Sequence, residues 1–220
     1  MSKNPQKQGP AKLGVKDFLT FVYDTEPEWA LLAVKAPVEQ VAGAFVRFRK
    51  AERWLRDVPR KSAAEGDDMG FPLIALLQLK DNPWAVVLRD VCDLTDEGMH
   101  GVAQDAKALS SKLKTRAITF VGEDTSGAVD YAIFDGGKML EHAQWESGGP
   151  FFLFKSTLRK RPALVESVDD EFADAVFREQ GVYLPACYPQ SKGKSAWLCV
   201  EKVSAASIER ADLVDLGGEE

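Results

Sequence analysis

Along this chain, apolar residues alternate with polar ones in some stretches and recur every three to four positions in others. "KDFLTFVYD", residues 16–24, alternates and is rich in β-formers, which predicts a strand. "EWALLAVKA", 28–36, is almost continuously apolar, as a central strand covered on both faces would be. In "PVEQVAGAFVRF", Val38, Val41, Phe45 and Phe48 share one helical face. Pro37 suits the first turn of that helix, where its missing N–H is not needed. Gly43 weakens the helix by about 1 kcal/mol relative to alanine, and a small residue there permits close packing. "AERWLRDV", 51–58, reads equally as more helix or as a strand. "PRKSAAEGDDMG", 59–70, is loop by composition.

Two apolar runs follow, "FPLIALLQLK" and "PWAVVLRDV", separated by Asp81 and Asn82, which predicts an antiparallel hairpin. The best-marked helix starts near Thr95. Met99, Val102, Ala106, Leu109 and Leu113 form one stripe, with Asp96 and Glu97 in the first turn and Lys112, Lys114 and Arg116 at the far end. A meander is expected over 116–146, then a strand at "FFLFKSTL". A further helix is expected at "SVDDEFADAVFREQG", capped by Ser167 and ended by Gly181. "KSAWLCVEKV" closes the series as a late strand.

Most of these connections are hairpins. The fold class is therefore α+β, with a largely antiparallel sheet, either one curved sheet or two, and about three helices on one face. The expected organisation is a disordered basic tail over 1–16, a single domain over 17–215 and a mobile acidic tail over 216–220. The first 16 residues carry four lysines and no acid.

Composition narrows the function classes. The 220 residues are 45% hydrophobic and 28% charged, enough for a real core. The net charge of −6 argues against nucleic acid as the main partner and permits a basic protein. Cys92, Cys187 and Cys199 fit neither paired disulfides nor a zinc site, and no apolar run reaches membrane-spanning length, so a cytoplasmic protein is expected. With two histidines, His100 and His142, on different elements, no multi-histidine metal site is expected, and no motif calls for a cofactor.

The candidate chemistry lies in "VGEDTSGAVDYAIFDGGKMLEHAQWE", 121–146. Two turns are possible for its hairpin. A loop at Asp135-Gly136 sets Asp130 against Glu141, a like-charge pair that costs a few tenths to about 1 kcal/mol. A loop at Gly136-Gly137 pairs Asp135 with Lys138 and supplies the positive φ angles of a tight turn, so this register is expected, with Asp130 facing Ala143. Regular alternation then leaves Asp130 and Glu141 on one face, wet and separate, and His142 on the other, beside Tyr131 and Leu140. Glu123, in the polar turn "GEDTSG", is a further acid.

Three readings follow. The first is a non-enzymatic interaction protein of bacterial inhibitor or immunity-like type that binds a basic protein. The second is a carboxylate-based hydrolase using Asp130 and Glu141, or Glu123. The third is a small-ligand domain using the space between helices and sheet. Arg159, Lys160 and Arg161 form a basic cluster at a strand end whose default reading is a solvated loop, with a contact to phosphate or an acidic partner as the alternative. The five tryptophans mark sheet-end packing unless they gather at the surface.

Overall fold

A computed structural model of the protein describes residues 29–58, 73–90, 96–122, 128–146, 151–160, 175–177, 179–182, 184–186, 197–199 and 208–216. The strand expected at 16–24, the basic tail over 1–16, residues 217–220 of the acidic tail, the 59–70 loop, Ser167, Cys92 and Cys187 lie outside these residues, while Leu216 packs against the core.

The elements run β1 (Trp29–Val34), α1 (Val38–Arg49), β2 (Arg53–Leu55), β3 (Leu73–Leu79), β4 (Ala85–Asp90), α2 (Asp96–Leu113), β5 (Arg116–Gly122), β6 (Ala128–Asp135), β7 (Lys138–Glu146), β8 (Phe151–Ser156), β9 (Leu184–Ala186), β10 (Trp197–Cys199) and β11 (Ile208–Asp215). Residues 175–177 and 179–180 are also helical, and Gly181 ends that turn at φ +72°. Nine strands form one antiparallel sheet in the order β2-β11-β3-β4-β1-β5-β6-β7-β8, while β9 and β10 make a small parallel pair. The fold is thus α+β with a largely antiparallel sheet. No helix among the described residues is long and apolar enough to cross a membrane.

Alternation along the strands sorts the apolar side chains into two layers. On one face, Val38, Val41 and Phe45 of α1 and Val102, Ala106 and Leu109 of α2 fill the space over Leu32, Val34, Leu76, Val87 and Phe134. On the other, Val176, Phe177 and Val182 pack on Ile118, Phe120, Tyr131 and Trp145. The expectation of all helices on one face is therefore corrected: α1 and α2 cover one face, and the helical residues near 177 cover the other. A sheet this apolar on both sides needs a cover on each, and two helices cover only one.

Two further details depart from the sequence reading. Pro37 is the residue before α1 rather than its first helical residue. A Cβ added at Gly43 would sit 3.5 Å from the Trp54 ring, an ordinary contact, so close packing does not require glycine there. Residues 53–55 resolve as a strand, the edge strand β2. The unforeseen β11 lies inside the sheet between β2 and β3. Its Asp212 is fully buried, yet accepts hydrogen bonds from Trp54 Nε1 (2.9 Å), the Asp57 amide (2.9 Å) and Arg210 Nε (2.8 Å). Those donors make an aspartate tolerable inside a sheet.

Candidate functional site

The β6–β7 hairpin turns at Gly136 and Gly137, both at positive φ, with Asp135 opposite Lys138 as the charge argument requires. Beyond the turn the register shifts. Phe134 faces Met139 and Ile133 faces Glu141, which leaves Leu140 as the extra residue of a β-bulge. Side-chain alternation reverses at that point. Asp130 consequently faces Gln144 rather than Ala143.

The bulge corrects the expectation that Asp130 and Glu141 share a face. Glu141 lies opposite Ile133 and next to Tyr131, in the layer covered by the helical residues near 177. Asp130 lies with Ala132, His142 and Gln144 on the face that carries α1 and α2. His142, expected on the opposite face from Asp130, is its neighbour.

Glu141 is not wet either: it is 0% exposed. Its Oε1 accepts from the Tyr131 hydroxyl (2.6 Å), and its Oε2 accepts from Ser156 Oγ (2.5 Å) and Arg159 Nε (2.9 Å). Arg159 also pairs with Glu179 (2.9 Å), which ties the end of β8 to the helical residues beneath the sheet. Burial works against the Arg159 charge, but Glu141 and Glu179 overcome it and raise its pKa. Burial pushes the Tyr131 phenol far up, and the Glu141 carboxylate adds to the effect. Trp145 and Phe177 stand edge-on to the Tyr131 ring at 5.9 and 6.3 Å. The cluster is a buried ion pair held by packing and by its own hydrogen bonds, with one guanidinium nitrogen, Arg159 Nη2, buried without a hydrogen-bond partner among the described residues.

On the other face, the Asp130 carboxylate meets His142 Nε2 (3.2 Å) and accepts from the Gln144 amide (2.5 Å). Both Asp130 and His142 are partly exposed. Carboxylate and imidazole together orient the ring, the arrangement seen where a histidine works as an acid or base and equally where it is a structural contact.

Ser156 Oγ, besides donating to Glu141, accepts from the amides of Leu158 (2.9 Å) and Arg159 (3.0 Å). The end of β8 is thereby fixed. β8 ends the sheet order, and among the described residues no strand pairs with its outer side. Phe152 on this strand is 64% exposed, and Leu158 just beyond it is 39% exposed. Lys155 and Lys160 are exposed beside them.

Of the basic cluster, Arg159 is committed to the Glu141 network and Lys160 points to solvent, while Arg161 lies outside the described residues, as does Glu123. Trp84 and Trp145 are core residues and Trp54 is partly buried. No group of three or more His, Cys, Asp or Glu among the described residues is arranged to hold a metal. The sequence reading missed Tyr131, Ser156 and Glu179. Tyr131 was the legible one, because a buried tyrosine hydroxyl demands a partner.

Compared with known proteins, the chain matches no family model, no curated protein and no solved structure.

Proposed function

We propose that this chain is a non-enzymatic interaction protein of the inhibitor or immunity-like kind, working in the cytosol and holding a protein partner along the β8 edge. The observation that carries the reading is Phe152, a large apolar side chain 64% exposed on a strand that ends the sheet order. Edge strands that lack a partner are usually blunted, because open N–H and C=O groups template the addition of another strand. Lys155 is one such blunting residue, but "FFLF" beside it is not. The Ser156 and Glu141 bonds hold the strand in place, which lowers the entropy lost on docking.

The second reading, a carboxylate-pair hydrolase, draws less support. Glu141 is occupied by three donors, and Asp130 lies across the sheet from it. The net charge of −6 supports a basic partner drawn in at long range, while backbone pairing and apolar burial supply the contact.

A photo-crosslinking residue at position 152 of the full chain, expressed in its native host, tests the proposal. A discrete partner is expected at 152 and none at exposed Lys50. Phe152→Asp should lower capture of that same partner at least about tenfold, the scale of a central apolar anchor. No crosslink at 152, together with capture unchanged by Phe152→Asp, would overturn it.

A further inference from the structure

The sheet's antiparallel order brings one set of chain turns to one end, and that end is basic. β1 finishes there at Val34, next to Lys35. α2 finishes there with Lys112, followed by Lys114 and the first residue of β5, Arg116. The β6–β7 turn adds Lys138. Backbone contacts join these segments directly. The Lys35 amide donates to the Arg116 carbonyl (2.9 Å), Thr115 Oγ1 donates to the Lys35 carbonyl (2.7 Å), and the Gly136 amide donates to the Thr115 carbonyl (3.3 Å). Ser110 Oγ accepts from the Gly137 amide (3.0 Å), which fixes the hairpin turn against the last turn of α2.

Lys35, Lys112, Lys114 and Lys138 are all exposed. Among the described residues of these segments the one carboxylate is Asp135, and it is engaged with Arg116 at 3.1 Å. Glu39, the nearest acid on α1, is turned away toward Arg210 (3.2 Å) and Arg56 (3.8 Å). The adjoining β3–β4 turn contributes Lys80 and Asp81, which cancel. Five cations against one carboxylate is a strong local excess in a chain of net charge −6.

Helix C-termini favour lysines, and that accounts for Lys112 and Lys114. It does not account for Lys35 and Lys138, which come from strand ends. From β1 through β5 and β6 to β7 is three strand spacings, about 14 Å. An extended peptide covers that distance in about four to five residues. We propose that this end of the sheet binds a short acidic protein segment laid across the strand ends, its carboxylates meeting the four lysines.

Nucleic acid fits less well. The described residues of these segments include no aromatic side chain on which a base would stack, and the single guanidinium, Arg116, is already divided between Asp135 and Gln180. A long polyanion would also run onto the acidic remainder of the molecule. Phe152, the centre of the β8 proposal, sits beside Trp145 toward the other end of β7 from Lys138, and that proposal carries the opposite charge preference.

The probe is hexaglutamate, titrated calorimetrically into the full chain, with an oligothymidylate of equal charge alongside. Saturable hexaglutamate binding is expected at low salt, weakening at least about tenfold from roughly 20 to 200 mM NaCl. The combined Lys35→Gln, Lys112→Gln, Lys114→Gln and Lys138→Gln variant should lose at least about tenfold in affinity. A variant neutralising exposed Arg47, Lys50, Lys107 and Lys155, with the same net change, should stay within about twofold. The two variants showing an equal loss would overturn the proposal. So would tighter binding of oligothymidylate, or the absence of saturable binding. Circular dichroism confirms that both variants are folded.

Discussion

Glu141 shows what a single residue does here. Its carboxylate is buried, and it satisfies a tyrosine, a serine and an arginine at once. Glu141→Leu should therefore cost about 3 kcal/mol in urea unfolding, because it removes the carboxylate that the Tyr131 hydroxyl, Ser156 and Arg159 Nε all use and leaves the Arg159 charge with the more exposed Glu179. Tyr131→Phe should cost about 2 kcal/mol, the scale of a hydrogen bond to a charged group. The double variant should cost less than the sum, and strict additivity would show that the groups are not coupled. The raised phenol pKa adds a pH signature. Its contribution to stability is complete below the unfolded tyrosine value of 10.0 and is lost as pH rises above it, because the unfolded chain ionises first. The loss should approach about 1.4 kcal/mol per pH unit, and Tyr131→Phe should remove that increment from the alkaline limb.

At the scale of elements, the β6–β7 hairpin was legible in sequence up to its turn and no further. Gly-Gly and the Asp135–Lys138 pair fixed the turn, since both act between near neighbours. The bulge at Leu140 has no such local signature. It places Glu141 beneath the sheet, within reach of Ser156 and Arg159, which are distant in sequence. The turn itself makes a separable prediction. A Cβ at Gly137 would come within 2.7 Å of Ser111 Cβ at φ +83°, whereas at Gly136 nothing lies within 4 Å. Gly137→Ala should destabilise by about 2 kcal/mol, through strain and displacement of α2. Gly136→Asn should stay within about 0.5 kcal/mol, since asparagine tolerates the left-handed region. Equal effects in thermal melts would mean that the hairpin does not rest on α2. The missed strand β11 has the same explanation as the bulge. "IERADLVD" reads as charged, and only Trp54, Asp57 and Arg210 make its Asp212 acceptable inside a sheet.

In the whole molecule, two apolar layers share one set of strands. Leu76 faces the α1 and α2 layer and its neighbour Leu77 the opposite one. Unfolding should accordingly be a single transition. Leu76→Ala and Leu77→Ala should each lower the free energy of the same unfolding transition by about 2–4 kcal/mol, with circular dichroism and tryptophan fluorescence coincident. Two separated transitions would mean that the layers fold independently. The same meander gathers lysines from positions 35 to 138 at one end of the sheet. In sequence they look like scattered solubilising charges.

Local periodicity and turn chemistry determined the fold class, both long helices, the β3–β4 hairpin and the glycine turn, because each depends on residues a few positions apart. The partners of buried charges, the face on which Glu141 and His142 stand, the place of β11 and the joining of the lysines were decided by tertiary structure alone. These arrangements bring together groups from 10 to 158 residues apart, and the strand order that does so is not written in any one segment.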